Sequence, residues 1–360
     1  MIAHDEDSPA LPPTASEIAA LKRLVEGVIR AQGNRFIKEL LREREIRIGD
    51  TKEDFLVNLN GAIEDGKLRL HEVAEWLKSV EGWGNQHVYL YRISPSLRSD
   101  LTTRRIRQRV QANASLAKVW EASTVLAFPN EPNLTSISFT DSVLRLIWQE
   151  ASPMWTPVPK KNFPRQEGLD LYEYRAFLWV ERRIFTRFEA HLDKGIAGLF
   201  IPSPIQGSEH QAAVVEAKRV IGLVMDLKAL EKEQLDISIV SKNLDQQNLP
   251  TNAAPTPEIK TQKSRLTSGG AYVEFAATST DRAFWEETAV RDVRKSVGLA
   301  QLRVFQGTEG SFIFPGGSGS DARSLRVQLY GAEKRVRLWA QMDADEVWSI
   351  LGQIDASLPR

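Results

Sequence analysis

The chain contains no cysteine, which excludes disulfide staples, thiolate metal sites and a cysteine nucleophile together. Histidine is nearly as scarce: the five residues, at positions 4, 71, 87, 191 and 210, lack the short spacings that bring two imidazoles to one metal. No run approaches the roughly 18 apolar residues of a membrane-spanning helix. The N-terminal stretch MIAHDEDSPALPPTASE is acidic and Pro-rich where a signal peptide is basic and then apolar. An excess charge of one sign is missing too, because 47 Lys and Arg stand against 47 Asp and Glu. Global electrostatics therefore advertise neither a nucleic acid nor a membrane. The expectation is a chain of the cytoplasm or nucleoid, with no cofactor and no metal.

What is present describes an ordinary globular chain. Its 360 residues are 42% apolar and include nine Trp, enough for two or three packed units. The fold class expected is α+β: a small all-helical head followed by a mixed body with mainly antiparallel sheets. Residues 1–15 read as a disordered leader. In the head, 16–83, Ile18, Leu21, Leu24, Val25 and Ile29 recur at helical spacing up to Gly33. Further helices are expected over 35–44, 51–64 and 70–80, that over 51–64 capped by Asp50 or Thr51 with Glu53 and Asp54 in its first turn.

The period changes near Gly84, and QHVYLYRIS predicts the first strand of the body. A helix is expected from Leu97 to Ala122, then a meander through SVLRLIWQE, YEYRAFLWVERRIFTRFEAHL and GIAGLFIP. One long helix is expected over SEHQAAVVEAKRVIGLVMDLKALEKE, and LDISIVSK reads as a strand. These make a first α+β lobe, 84–242. Residues 243–270, rich in Pro, Thr, Asn and Gln, read as a linker or mobile loop. A second lobe, 271–360, then repeats sheet and helix: AYVEFAATS, a helix through DRAFWEETAVRDVRKSV, strands at AQLRVFQ, SFIFPG, SLRVQLYG and RVRLWAQ, and a closing helix DADEVWSILGQI.

Charge is locally uneven. Between Glu17 and Lys118 there are 19 Lys and Arg against 14 Asp and Glu, which permits an anionic partner at that end. Two clusters carry it. In ELLREREIRIGDTKEDFLVNL a tight turn at Gly49 leads into a helix with Lys52 in its first turn, and a helix N-terminus flanked by Arg44, Arg47 and Lys52 is a seat for phosphate. In RSDLTTRRIRQRV, Arg98, Arg104, Arg105, Arg107 and Arg109 accompany a single Asp100, with Ile106 and Val110 turned to the core. Such guanidinium groups track phosphates, or form a solvated face paired with acidic neighbours.

The first cluster resembles a SAP motif, the short helix-loop-helix module of many chromatin and DNA-repair proteins. Leu40, Leu41 and Ile46 match its first helix and exit, Gly49 and Lys52 its turn, and Phe55, Leu56 and Leu59 its second helix. The spacing from Gly to Lys is one residue longer than the pattern, and the second helix runs on into AIEDGKLRLHEVAEWL. The resemblance implies sequence-independent contact with duplex DNA. The layout of helical head and α+β body, carried by TKEDFLVNLNGAIEDGKL, the strand start at Gln86 and RAFLWVERRIF before a long helix, also resembles centromere protein N. That likeness implies a DNA contact at the junction, involving Arg47, Lys52 and the 98–109 segment.

No catalytic constellation stands out. Glu216 and Lys218 in VVEAKR match the Glu-x-Lys of a nuclease family but sit in a helical period, and FPGGSGSDA lacks the Lys of a phosphate-binding loop. Trp148, Trp179, Trp285, Trp339 and Trp348 read as core. The sequence thus predicts an adaptor that holds duplex DNA through the head and the arginine cluster and docks a partner protein through its body. The alternative is a protein-interaction subunit of a multicomponent assembly with no nucleic-acid contact. The state of the basic residues separates the two: an open basic surface supports the first, and cations cancelled by carboxylates support the second.

Overall fold

The computed structural model describes residues 14–31, 33–122, 129–140, 142–180, 182–203, 207–247, 259–268, 271–278, 283–296, 306–316 and 323–358. The expected leader, 1–15, thus lies almost wholly outside the described residues, as does most of AQLRVFQ. Among the described residues no helix is long and apolar enough to cross a membrane. The class is α+β, with a helical N-terminal region and mostly antiparallel strands. The chain divides into two units, one comprising residues 1–81, 125–131 and 150–183, the other 82–124, 132–149 and 184–360.

The first unit begins with four helices: α1 (Ala15–Ala31), α2 (Asn34–Glu43), α3 (Lys52–Glu64) and α4 (Leu70–Val80). Their apolar stripes meet in one core that includes Leu21, Val25, Ile29, Phe36, Phe55 and Leu77, so the helical period read from the sequence is the period that buries them. No strand interrupts the described residues from 15 to 82. Gly49 is dictated by its surroundings, because a Cβ there would fall 2.1 Å from Cβ of Asp54. The rest of this unit is an arm of four short strands, β4 (Met154–Pro157), β5 (Phe163–Glu167), β6 (Asp170–Tyr174) and β7 (Phe177–Val180), with a 3-10 turn at Pro159–Lys161. They form two separate two-stranded pairs, β4 with β7 and β5 with β6.

The second unit is built on a ten-stranded sheet. Its strands are β1 (Gly84–Arg92), β2 (Asn133–Thr140), β3 (Val143–Ala151), β8 (Arg183–His191), β9 (Ile196–Pro202), β10 (Lys260–Ser268), β11 (Ala271–Ala276), β12 (Gln306–Gly316), β13 (Arg323–Tyr330) and β14 (Arg335–Gln341). The order is β11-β10-β12-β13-β14-β1-β9-β8-β3-β2. Its helices are α5 (Pro95–Asp100), α6 (Thr103–Gln111), α7 (Ala114–Ala117), α8 (Gly207–Val224), α9 (Leu227–Lys232), α10 (Ile237–Gln247), α11 (Thr288–Ser296) and α12 (Ala344–Ala356). Strand alternation sends Tyr89, Tyr91 and Leu199 into one core with Ile106 of α6 and Val214 and Ile221 of α8. It sends Val88, Leu90 and Phe200 into a second core with Val240 of α10 and Leu351 of α12.

The expected division into two lobes is corrected here. Strand β14 pairs with β1 from Gly84 opposite Gln341 to Val88 opposite Val336, so segments on both sides of 243–270 share one sheet. Nor is the described part of that stretch a linker: Asn243–Gln247 ends α10 and Lys260–Ser268 is β10, paired on both sides. Composition misled because the residues buried there are mostly polar. Thr261, Gln262, Ser264 and Asp245 outnumber Leu244 and Leu266, and Ser264 donates to the buried Asp245 carboxylate at 2.9 Å.

Three elements also differ. LDISIVSK is helical, because the Asp236 carboxylate accepts from the backbone N–H of Ser238 and Ile239 and thereby caps α10. The helix expected over 97–122 is three short ones, restarted by Thr102 and Asn113 as side-chain caps. The long helix after β9 breaks at Asp226, which caps α9.

The junction β1–β14 sets a sharp test. Gly84 has φ of +73°, and a Cβ there would lie 2.3 Å from the backbone oxygen of Ala340. Gly84→Ala combines a left-handed backbone with a clash against backbone. It is expected to cost about 2–4 kcal/mol in chemical denaturation, whereas Gly61→Ala, with open space around it, is expected to be neutral or stabilising.

Candidate nucleic-acid interface

The head loop has the predicted shape and a different chemistry. Thr51 caps α3: its hydroxyl accepts from the Asp54 N–H at 3.2 Å, and the Asp54 carboxylate accepts from the N–H of Thr51 at 2.9 Å and of Asp50 at 3.1 Å. Hydrogen bonds from Thr51 and Asp50 hold the Asp54 carboxyl below its usual range. The helix end that would seat a phosphate already has an anion of its own. Arg44 donates to Glu72 at 2.6 Å. Arg47 is exposed, and its backbone carbonyl accepts from Asn58 at 2.7 Å. Lys52 opens α3 and is half-buried.

The arginine cluster falls on two helices in the second unit. Arg98 lies on α5, while Arg104, Arg105, Arg107 and Arg109 lie on α6, so the break at Leu101 and Thr102 removes the shared helical face expected for Arg98, Arg105 and Arg109. Asp100 bridges Arg105 at 3.0 Å and Arg109 at 2.7 Å. Arg109 also donates to the carbonyl of Val224 at 3.0 Å. Arg107 is 3.7 Å from Glu121 and lies over the Trp120 ring. Ile106 and Val110 are buried, as the spacing predicts.

Of the eight cations named from the sequence, Arg44, Arg105, Arg107 and Arg109 therefore face a carboxylate. Exposed pairs of this kind stabilise by at most about 1 kcal/mol each. Their consequence is electrostatic, since each cancels a charge that would otherwise meet a phosphate. Arg47, Arg98 and Arg104 are exposed and form no ion pair among the described residues. On α8, Glu216 pairs with Arg219 and Lys218 with Glu231.

The feature that sequence reasoning missed is the arm of the first unit. Trp148 and Trp348 are buried as expected, but Trp179 of β7 is 49% exposed and stands opposite Trp155 of β4, which is 60% exposed, with ring centroids 5.0 Å apart. On the same side of this pair, Phe177 sits opposite Pro157. In the other pair of strands Phe163 stacks on Tyr174 at 5.2 Å. Leu169 at the tip is fully exposed and Leu171 nearly so. Alternating aromatics in a strand pattern signal this element, but the pattern does not show that its faces lack a second layer. Trp339 is likewise exposed, and the side chain of Trp285 lies outside the described residues.

Two of the arm's four cations face a carboxylate of the arm itself. Arg165 lies 3.3 Å from Glu167 and Arg175 3.2 Å from Glu173. With Lys160, Lys161 and Asp170, the segment 154–180 carries four cations and three anions. No protein-family model matches the chain, and no curated protein matches it.

Proposed function

We propose that the chain is a protein-docking subunit of a larger assembly, and that its arm, β4 to β7, seats in an apolar groove of a partner protein. One observation carries this reading: the paired strands of the arm leave Trp155, Trp179 and Phe177 exposed on one side of β4 and β7, and Phe163, Leu169 and Leu171 exposed on β5, β6 and the turn between them. Two-stranded ribbons are marginal in water on their own, and an apolar surface of this kind marks an interaction site. Near-balanced charge on the arm suits a protein groove better than a phosphate backbone, which recruits net cations. Aromatic anchors on such an arm match the composition of interface hot spots.

Duplex DNA is the second reading, supported by the exposed Arg47, Arg98 and Arg104 and by the SAP-like sequence. The two part company in a salt titration of the purified chain on duplex DNA. The docking reading predicts no saturable binding at low salt. A linear fall of log affinity with log salt, flattened by about one unit per charge in the triple variant Arg47→Glu, Arg98→Glu, Arg104→Glu, would establish the DNA reading instead.

A further inference from the structure

A polar cavity of about 340 Å³ opens in the second unit, lined by His87, Gly207, His210, Glu333, Arg335 and Arg337 together with Gln211. Strand register explains the gathering. His87 on β1 lies opposite Arg337 on β14, and Arg335 is two residues along on the same face. The first turn of α8 supplies Gly207, His210 and Gln211, and the leading N–H groups of a helix have no acceptor within it. The two imidazoles meet edge to face with centroids 5.1 Å apart, and His210 exchanges a hydrogen bond with the Tyr89 hydroxyl at 3.0 Å.

The charge in this cavity is cancelled only in part. Glu333 pairs with Arg335. Arg337 has no carboxylate partner among the described residues, its Nε makes no hydrogen bond although buried, and its guanidinium lies 3.5 Å from the centre of the Trp339 ring. His87 is buried to all but 5% of its surface. An arginine can only donate, so the 3.1 Å contact between Arg335 and Nδ1 of His87 makes Nδ1 the acceptor and places the ring proton on Nε2. That second nitrogen has no protein partner among the described residues. Burial, then the charges of Arg335, His210 and Arg337, lower the His87 pKa to about 3, which keeps the ring neutral at pH 7.

We propose that this cavity binds the phosphate of a small phosphomonoester, held by Arg337 and Arg335, by the Nε2–H of His87 and by the first-turn N–H groups of α8. Two guanidinium groups, a fixed neutral N–H donor and a helix N-terminus form a donor set for a tetrahedral dianion. The volume lies at the lower end of the range for small-ligand pockets, about 300–1,000 Å³, and leaves room for an organic group beyond the phosphate itself. This site is independent of the docking arm, which belongs to the other unit.

The test is a titration of the full chain, at constant ionic strength, with inorganic phosphate and separately with AMP, following the imidazole resonances of His87 and His210. The expected result is a saturable shift of both with a Kd of about 1 mM or tighter, AMP binding at least as tightly as phosphate. Arg337→Gln is expected to weaken both about tenfold or more, with the melting temperature of the unliganded protein unchanged. No saturable shift in the wild type overturns the proposal whatever the variant does. So does an unaltered Kd in a folded Arg337→Gln protein, and phosphate binding without AMP binding overturns the assignment to an ester.

Discussion

Arg183→Met is expected to destabilise the first unit by about 3–5 kcal/mol and to lower its melting temperature by about 10 °C or more. The Arg183 side chain is 2% exposed and donates through two nitrogens to the Glu81 carboxylate, itself 10% exposed, at 3.1 and 2.5 Å. Removing the guanidinium strands a buried carboxylate from its bidentate partner, and desolvation then opposes the folded state with little Coulomb gain in return. The double variant Glu81→Leu, Arg183→Met removes both charges and is expected to recover most of the loss. A single variant that melts within about a degree of the wild type would show that the pair contributes no net stability, and a double variant as damaged as the single would assign the effect to packing.

The second large effect concerns the arm. Trp155→Ser together with Trp179→Ser is expected to weaken partner docking by about 2–4 kcal/mol, or about 30-fold to 1,000-fold. The melting temperature should move little, because both rings are about half exposed and contribute correspondingly little to the unit's own core. A control at Trp148, which is 5% exposed, should behave in the opposite way, with Trp148→Ser unfolding the sheet before any docking is measured. If the double arm variant unfolds like the control, the tryptophans hold the arm together instead of anchoring a partner.

The helical head was legible because its apolar residues repeat at a period that only a helix satisfies, and the Thr51 cap is a local signal. Strands β13 and β14 were legible for the same reason at period two, and β1 and β9 as short aromatic and apolar runs bounded by glycine or polar residues. The misread elements have other causes. Ile237, Ile239 and Val240 look like a strand until Asp236 caps them, and Thr261 and Ser264 look like linker until β10 pairs with β12 and Ser264 meets Asp245 of α10. The first outcome turns on a cap adjacent in the chain that overrides the β-branched pattern, and the second on partners distant in it. The site residues follow the same rule. The arginines of α6 were found, but not that one Asp100 would hold two of them. His87 and His210 meet only because β1 and α8 are brought together by packing, and no spacing in the sequence records that.

The docking claim is tested most directly by a photo-reactive amino acid placed at Leu169, at the tip of the arm, and compared with one at Val57, which is 70% exposed on α3. Irradiation of cells expressing each full-length chain is predicted to give a discrete protein adduct from position 169, lost when Trp155→Ser and Trp179→Ser are added, and none from position 57. Equal adducts from both positions, adducts that persist without the two tryptophans, or adducts to nucleic acid at position 169 would contradict it.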